Sequence, residues 1–306
     1  MTKKQKTIAT PITISGKGLH TGKAATLVLK PASENYGIVF QRVDLPHKPF
    51  VKAHISNVFD TSRSTNLREN DADVKTVEHL LSALAGLAID NLLIEIDNEE
   101  LPILDGSATE YVDQILQVGL VEQNADREYI SVSEVVKFEK PDKGIELIIV
   151  PSKHEKYTVM VDYGTHVLAS QCATLKHLDQ YVPEIYNCRT FVFLHELQVL
   201  ISHNLVKGGD VDNAIVFVDK KPNQEELNHL AQFFGKSDVH VTENGILDNV
   251  ELRHLNEPAR HKLLDLIGDL YLLGKPIKGD IIAKKPGHFA NTEFAKLIAE
   301  AMIPVK

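Results

Sequence analysis

Hydrophobic and polar positions alternate through the first 60 residues, and glycine or proline interrupts the alternation at short intervals. The runs TIATPITISGKGLHTGKAATLVLKP and YGIVFQRVD are typical of short strands joined by turns. From Val74 the period becomes helical and stays so until Asp90 and Asn91. Five apolar positions carry that period: Val77, Leu80, Leu81, Leu84 and Leu87. We therefore predict a largely antiparallel sheet over residues 10–60, followed by an amphipathic helix.

The rest of the first half predicts a strand, NLLIEID, and a second amphipathic helix within ELPILDGSATEYVDQILQVGL. Asp105, Gly106 and Ser107 indicate a turn and a cap before that helix. The next stretch, VEQNADREYISV, is polar and has no helical period, and new alternating strands begin near Ile130. We therefore place a domain boundary at about residues 121–128.

The second half repeats this order of elements. Strands are predicted in SVSEVVKFEK, GIELIIVPS, KYTVMVDYG and NAIVFVD, and helices in FVFLHELQVLISHN and ARHKLLDLIGDLYLLG, before a last strand and helix. We expect an α+β fold with an N-terminal domain over residues 1–125 and a C-terminal domain over residues 126–306. Each domain would be a two-layer sandwich in which a β-sheet packs on a pair of helices. The similar order of elements indicates a structural duplication.

Composition and charge limit the class of protein. The chain has 33 Lys and Arg against 42 Asp and Glu, a net charge of −9, which is unfavourable for neutralising nucleic-acid phosphates. Cys172 and Cys188 are too few for a disulfide framework, which fits a reducing compartment. No apolar run reaches the roughly 18 residues of a membrane span, and the N-terminal segment lacks the apolar stretch of a secretory signal. We expect a cytoplasmic protein with no nucleic-acid partner and no transmembrane segment.

The helix that begins near Ala259 carries candidate metal ligands. His261, Asp265 and Asp269 follow one another at intervals of four, so they lie on one stripe of the helix. A histidine and a carboxylate one turn apart can bind a divalent cation, and the next carboxylate can orient a neighbouring imidazole. Gly268 would allow another chain segment to approach closely. A solvated stripe with an ordinary ion pair remains the alternative interpretation.

The first predicted helix carries Glu78 and His79 side by side, away from its apolar positions. A metal hydrolase needs fixed ligands and a carboxylate beside them that takes a proton from water, and this pair supplies one ligand and one base. The alternative is an exposed helix flank. With only two cysteines in the chain, any metal site must be built from imidazole and carboxylate.

Three further positions are candidates for reaction chemistry. His288 follows a Pro-Gly turn and precedes a helix for which Asn291 is a candidate cap, so it can reach into a cleft as an acid tuned by Asp269. In CRTFVF, Thr190 can donate a hydroxyl to an oxyanion and Phe191 can pack on a sugar face. The alternatives are a loop histidine, a capping threonine and a core phenylalanine.

Five segments, in their order along the chain, closely resemble the zinc-dependent UDP-3-O-acyl-N-acetylglucosamine deacetylases. They are TVEHLLSALAGLAIDNLLIEIDNEELPILDGSA, CRTFVF, KGGDVDNAIV, RHKLLDLIGDLYLLG and GHFANTEFAKLI. The resemblance extends from GKGLHTGK to the last helix. It implies an enzyme that catalyses the committed step of lipid A synthesis in Gram-negative bacteria. It also implies a fold of two similar domains with the active site at the domain interface.

The resemblance also implies a role for individual residues. The zinc ligands would be His79, His261 and Asp265, with Fe²⁺ as an alternative metal in the same site. Glu78 would be the general base, His288 the imidazole that stabilises the oxyanion or protonates the leaving amine, and Asp269 the carboxylate that orients His288. Thr190 would donate to the oxyanion, while Phe191, Lys262, Ser64 and Tyr163 would contact the substrate. The segment from Phe193 to Asp210 would form the acyl passage, and the partner would be an acylated UDP-N-acetylglucosamine bound by a monomer.

Other functions remain open at this point. A metal-dependent amidohydrolase acting on a different acylated or sugar amide has the same requirements. Two histidines and one carboxylate also occur in non-haem iron oxygenases, although Glu78 beside a ligand serves hydrolysis better. An RNA-binding module is a third hypothesis, against which the net charge argues. Some family members are fused to a hydroxyacyl-carrier-protein dehydratase, and the sequence leaves open whether this chain is one portion of such a protein.

Overall fold

The computed structural model describes residues 3–203, 205–210, 213–220, 222–247 and 250–305. The first half contains β1 (Lys4–Ile8), β2 (Ile12–Lys17), β3 (Ala24–Pro31), β4 (Ile38–Arg42), β5 (Phe50–Lys52), β6 (Val58–Asp60), β7 (Asn66–Glu69), β8 (Ala72–Val74), α1 (Glu78–Gly86), β9 (Leu92–Ile96), α2 (Thr109–Val118) and β10 (Leu120–Asp126). The second half contains β11 (Tyr129–Val132), β12 (Val136–Lys140), β13 (Ile145–Val150), β14 (Glu155–Val161), β15 (Gln171–Leu175), α3 (Tyr181–Glu184), β16 (Phe191–Phe193), α4 (Leu194–Ser202), β17 (Ile215–Phe217), α5 (Gln224–Phe233), α6 (Glu257–Tyr271), β18 (Gly279–Lys284), α7 (His288–Ala301) and β19 (Met302–Val305). Short 3-10 helices cover Ile55–Asn57, Pro141–Lys143 and Leu178–Gln180.

Two five-stranded sheets have the same topology. Their strand orders are β2-β3-β9-β4-β5 and β12-β13-β18-β14-β15. In each sheet the central strand, β9 or β18, is antiparallel to the neighbour on one side and parallel to the neighbour on the other. An extra strand precedes each set and pairs with the last strand of the same half, so β1 pairs with β10 and β11 pairs with β19. The α+β fold with two similar halves is therefore confirmed.

This pairing supports the proposed division into domains. All strand partners of β1 to β10 lie at or before Asp126, and those of the named strands from β11 onward lie at or after Tyr129. We propose that the two halves are domains that meet between residues 125 and 126. Strand β10, Leu120–Asp126, occupies most of the segment, residues 121–128, in which we expect the boundary. Its side chains are mostly exposed or half-buried, which explains the polar sequence of an edge strand.

Each half carries its insertion at the same place, between the fourth strand of the sheet and the first long helix. In the first half the insertion contains the small sheet β6-β7-β8. In the second half it contains α3, the parallel pair β16 and β17, and helices α4 and α5. The second insertion has apolar clusters of its own, one of which is built around Leu197, Val216 and Leu230. Both insertions lead directly into the helices that carry the candidate metal ligands.

Helices α1 and α6 pack against each other at very short range, and the sequence explains how. A Cβ atom built on Gly268 would lie 2.1 Å from the carbonyl oxygen of Glu78, so no residue larger than glycine fits there without displacement. At the other end of α1, a Cβ on Gly86 would lie 2.1 Å from the ring of Tyr181. The apolar positions predicted for α1 are buried, as are Leu263, Leu264, Ile267, Leu270 and Tyr271 of α6. Close approach at Gly268 is therefore confirmed.

Several predicted boundaries differ from the observed ones. The first helix begins at Glu78, because Val74 ends strand β8 and Thr76 has a φ of 59° that no helix accommodates. Residues Phe191–Phe193 form strand β16 and the helix begins only at Leu194. Ser107 is not the N-cap of α2, although its hydroxyl accepts a hydrogen bond from the Thr109 N–H at 3.1 Å.

Within the described residues, no helix combines the length and the apolar character that crossing a membrane requires. Most of the buried hydrophobic side chains instead form one continuous core that includes the long helices of both halves.

Substitution of Gly268 by alanine tests the close contact of α1 and α6. The added methyl group overlaps the Glu78 carbonyl, so we expect a loss of about 3 kcal/mol of unfolding free energy, the upper end for overpacking, despite alanine's higher helix propensity. Urea denaturation measures this change. Gly287→Ala is the matched control, because a Cβ there meets no described atom within 4 Å. Equal stability of Gly268→Ala and wild type would contradict the packing.

Candidate metal centre and active site

Helices α1 and α6 bring three buried metal-binding side chains together. His79 comes from α1, and His261 and Asp265 come from α6. Ligand atoms of the three residues lie within 4.8 Å of one another. Asp265 Oδ1 lies 3.7 Å from His79 Nε2 and 3.4 Å from His261 Nε2. This oxygen is buried and has no hydrogen-bond partner among the described residues, so a cation between the three groups would satisfy it.

The surroundings hold these side chains in the protonation states that bind metal. Burial lowers the pKa of His79 to about 3 and also lowers the pKa of His261, so both imidazoles are neutral near pH 7. Burial acts to raise the pKa of Asp265, but the positive charge that His261 carries at low pH and the charge of Lys262 outweigh it and lower that pKa. Neutral imidazoles and an ionised carboxylate can bind a cation without first losing protons.

Neighbouring groups orient the ligands. The Nδ1 of His261 lies 3.0 Å from the carbonyl oxygen of Cys188, and a carbonyl only accepts, so Nδ1 carries the proton and Nε2 presents its lone pair. Lys262 Nζ donates to Asp265 Oδ2 at 2.8 Å, which leaves Oδ1 free toward the histidines. His261 and Asp265 therefore each have one atom fixed by a neighbouring group and one directed toward the shared space.

A carboxylate and an imidazole stand beside the three ligands. Glu78 Oε1 lies 3.7 Å from His288 Nε2, and the His288 Nδ1 donates to Asp269 Oδ2 at 3.0 Å. Burial raises the pKa of Glu78 to about 7. Burial opposes the positive charge of His288, but Asp269, Glu78 and Asp265 outweigh it and raise the pKa of His288 to about 9. The pKa of Glu78 therefore lies near neutrality and that of His288 above it, so one group can act as a base and the other as an acid in one reaction.

These groups line a cleft of about 460 Å³ between the two halves of the chain. Eight of the predicted residues face it: Glu78, His79, Thr190, Phe191, His261, Lys262, Asp265 and His288. Thr190 is held by its backbone, because its N–H donates to Gly106 and its carbonyl accepts from Ile215, both at 2.8 Å. The Phe191 ring centroid lies 5.5 Å from Lys262 Nζ and 6.3 Å from the His261 ring centroid.

Three predicted residues do not line this cleft. Asp269 lies behind His288 and is fully buried. Tyr163 packs edge-on against Phe191 with ring centroids 5.6 Å apart, so it belongs to the aromatic wall next to the cleft. Ser64 is buried and donates its hydroxyl to Asn66 Oδ1 at 3.0 Å, so the structure does not bring it to the site.

Sequence reasoning missed several residues of the site. Thr65, next to Ser64, contacts both Glu78 and Asp269. Asn291, expected to cap the last helix, lies inside α7, whose N-cap is Gly287, and donates to Asp269 Oδ2 at 2.8 Å. His20 lines the cleft, and neither of its ring nitrogens has a partner among the described residues. The glycines around His20 in GKGLHTGK signal a turn, but no spacing in the sequence links that turn to α1 or α6.

A second cavity of about 200 Å³ adjoins the cleft, and its lining is mainly apolar. The two share five lining residues: Leu19, His20, Arg63, Thr190 and Phe191. Beyond these, the cavity is lined by Val192, Leu197, Leu200, Val206, Val216 and Phe234, together with Gly209, Ala214 and the acidic Asp210. The predicted passage segment from Phe193 to Asp210 supplies part of this wall, although residue 204 within it and residues 211–212 of the KGGDVDNAIV motif lie outside the described residues.

A family model described as UDP-3-O-acyl N-acetylglycosamine deacetylase, LpxC, matches residues 5–234 and 235–300. The chain belongs to the LpxC family. The members of this family are deacetylases and therefore enzymes. The buried group of His79, His261 and Asp265 is consistent with a metal-dependent hydrolase.

Three relatives are named bifunctional enzyme LpxC/FabZ. The relative from Chlorobaculum tepidum is 43% identical over 295 residues, which are 95% of this chain and 63% of the relative. The relative from Bacteroides thetaiotaomicron is 43% identical over 293 residues, 96% of this chain and 64% of the relative. The relative from Porphyromonas gingivalis is 42% identical over 308 residues, 99% of this chain and 67% of the relative. The chain thus spans about two thirds of the length of these LpxC-family relatives.

Removal of one ligand tests the metal centre. We expect Asp265→Ala and His79→Ala to lose the bound metal, because each leaves only two of the three clustered donors, while Glu78→Gln keeps it. Metal content after dialysis, measured by mass spectrometry, and the rise in melting temperature on adding Zn²⁺ give two readouts. His154→Ala, an exposed histidine, is the control. Full metal content in dialysed Asp265→Ala would show that the ion binds elsewhere.

Proposed function

We propose that the protein hydrolyses the N-acetyl group of UDP-3-O-(3-hydroxyacyl)-N-acetylglucosamine in a Zn²⁺-dependent reaction. The products would be acetate and UDP-3-O-(3-hydroxyacyl)-glucosamine, in the committed step of lipid A synthesis. One observation carries this proposal beyond family membership: the buried cluster of His79, His261 and Asp265 faces the same cleft as the Glu78–His288 pair, and that cleft adjoins an apolar cavity.

His79, His261 and Asp265 would hold the zinc ion. When bound there, zinc supplies a Lewis acid for the amide carbonyl and lowers the pKa of a coordinated water to about 7. Three protein ligands leave a coordination position free for water or substrate, as catalytic zinc sites require. The unpartnered Asp265 Oδ1 is the atom in this structure that most directly fits such an ion.

Glu78 would act as the general base. Its Oε2 accepts a hydrogen bond from the Thr65 N–H at 3.0 Å, which leaves Oε1 on the side of His288 and the cleft. The carboxylate takes a proton from the attacking water as the hydroxyl oxygen bonds to the acetyl carbon. A pKa raised to about 7 makes Glu78 a stronger base than an exposed carboxylate.

His288 and Thr190 would act on the charge that develops in the amide. The Nε2–H of protonated His288 and the Thr190 hydroxyl are donors for the tetrahedral oxyanion, both from residues that line the cleft. When the carbon–nitrogen bond breaks, the leaving nitrogen takes a proton from His288 and departs as the free amine. Asp269 keeps the imidazole oriented through Nδ1 throughout.

The rest of the cleft fits the other parts of this substrate. The cations Arg63, Lys140, Lys143, Lys262 and Lys285 line it, which favours a diphosphate. Phe191 offers a ring face to a sugar or a uracil, and Tyr163 packs against the Phe191 ring in the wall next to the cleft. The adjoining cavity, with its apolar lining, would receive the acyl chain. Lys262 Nζ is both paired with Asp265 and within 5.5 Å of the Phe191 ring centroid, so it links the metal ligands to the sugar-nucleotide side.

Fe²⁺ in the same site is compatible with the same hydrolysis. An oxygenase of the two-histidine, one-carboxylate type is less well supported, because the Glu78–His288 pair is arranged for proton transfer next to the ligands. Hydrolysis of another acylated or sugar amide requires the same catalytic groups and differs only in the outer contacts.

Acetate release from acylated UDP-N-acetylglucosamine tests the proposal. We expect release that a chelator abolishes and added Zn²⁺ restores, with Fe²⁺ assayed anaerobically in parallel. Glu78→Gln should lower kcat at least about 100-fold while the metal stays bound, since it removes only the base. A substrate without the acyl chain should react with lower kcat/KM because it leaves the apolar cavity empty. No acetate from the folded, metal-loaded protein would overturn this substrate assignment.

The pH dependence of kcat/KM tests the acid and base roles. Activity should rise with pH as Glu78 loses its proton and fall as His288 loses its proton, so the plot of kcat/KM against pH should be bell-shaped. Without metal, the pKa of Glu78 is about 7 and the pKa of His288 is about 9. The positive charge of the bound cation should lower both pKa values, so both limbs of the profile should lie at lower pH than these values. His288→Ala should remove the fall that His288 causes at high pH. The His154→Ala control should keep both limbs, and an unchanged profile in His288→Ala would contradict the acid role.

A further inference from the structure

Thr65 contacts the acid and the base of the proposed reaction at once. It lies directly before β7 in the first insertion and is fully buried. Its N–H donates to Glu78 Oε2 at 3.0 Å. Its hydroxyl donates to Asp269 Oδ1 at 2.5 Å, and the same hydroxyl oxygen lies 3.3 Å from His288 Nδ1.

These contacts fix the proton positions. A carboxylate only accepts hydrogen bonds, so the Thr65 hydroxyl donates its single proton to Asp269 and presents a lone pair to His288. The His288 Nδ1 therefore faces two acceptors, Asp269 Oδ2 at 3.0 Å and Thr65 Oγ1 at 3.3 Å, and carries a proton in every protonation state of the ring. The proton that His288 exchanges during a reaction must be the one on Nε2, which faces Glu78.

The backbone around Thr65 is anchored to the start of α1. The Thr65 carbonyl accepts from the Val77 N–H at 3.2 Å, one residue before Glu78. Asn66 Oδ1 accepts from the Thr76 N–H at 3.1 Å, which ties the adjacent residue to the same segment. Thr65 is thus held rigidly against α1, and its hydroxyl reaches across to α6 and α7.

We propose that Thr65 is a positioning residue that holds Glu78 and the Asp269–His288 pair in one fixed arrangement through its amide and its hydroxyl. This inference rests on the proposed function for its catalytic consequence. The distribution of donors on Asp269 supports it: Oδ2 accepts from His288 and Asn291, and Thr65 is the donor that Oδ1 has among the described residues. Loss of the hydroxyl would leave a buried carboxylate oxygen unpaired and free the carboxylate to turn.

The decisive comparison is Thr65→Val with Thr65→Ser. Valine keeps the shape and the backbone N–H but removes the hydroxyl, so we expect kcat to fall about 10–100-fold with little change in KM or metal content. Serine keeps the hydroxyl and should restore most of kcat. Thr7→Val is the matched control, a buried threonine whose hydroxyl donates to the Asn91 carbonyl far from the cleft; it should change stability and leave kcat unaffected.

A double-mutant cycle with His288→Ala separates positioning from a structural effect. If Thr65 acts through His288, Thr65→Val should lower kcat no further in the His288→Ala background. A full additional loss there would overturn the inference, as would wild-type kcat in folded Thr65→Val or an inactive but folded Thr65→Ser.

A spectroscopic readout is independent of turnover and of whether Thr65→Val folds. In ¹⁵N-histidine-labelled, metal-loaded wild type, a slowly exchanging Nδ1 proton should be visible and should vanish in His288→Ala, which assigns it. Thr65→Ser should keep this resonance at a slightly changed shift, and Thr65→Val, where folded, should shift or broaden it. Absence of a protected Nδ1 proton in wild type would overturn the inference even if acetate is released. Its presence without acetate release would instead contradict only the proposed function.

Discussion

The close contact between α1 and α6 at Gly268 is the constraint on which the rest of the site depends. With the carbonyl of Glu78 against a residue that has no side chain, the first turn of α1 lies directly beside the middle of α6. His79 therefore reaches the same space as His261 and Asp265, and Glu78 is left on the side of His288. A wider separation would still bury apolar residues, but the three ligands would no longer share one point.

The same burial accounts for the different behaviour of the ionisable groups. Removal from water disfavours every charge, so it raises the pKa of Glu78 and lowers the pKa values of His79 and His261. Only groups with a close partner of opposite charge stay ionised. Asp265 stays ionised beside Lys262, and His288 stays protonated beside Asp269 at 3.0 Å, whereas the other two imidazoles of the site, His79 and His261, are neutral. The candidate ligands, the base and the acid thus share one buried environment. Their protonation states differ because their neighbours differ, and not because some of them are more exposed.

The repeated topology explains why the site forms where it does. In each half the first long helix after the insertion carries candidate metal ligands, α1 in one and α6 in the other. The insertions precede these helices, so each places a residue beside them: Thr65 from the first, Thr190 from the second. The sheets are nearly equivalent, and the chemistry comes from the parts in which the halves differ. The larger second insertion adds the apolar cavity, and the smaller first insertion adds the link between Glu78 and Asp269.

Much of this arrangement is readable from the sequence, because helical periodicity and the intervals between His261, Asp265 and Asp269 are local properties. The contacts that depend on strand pairing or on the partner helix cannot be predicted from the sequence in this way. The polar segment before Arg127 looks like a linker, yet it forms β10 because β1 supplies its backbone partners from the other end of the first half. Ser64 and Thr65 show this limit of prediction from the sequence most clearly. The Ser64 hydroxyl is bonded to Asn66 and the Thr65 hydroxyl to Asp269, so an error of one position exchanges one contact for the other. Both are small hydroxyl residues, and nothing within the segment distinguishes them. Only the position of α6, more than 190 residues later in the chain, decides which hydroxyl meets the Asp269 carboxylate.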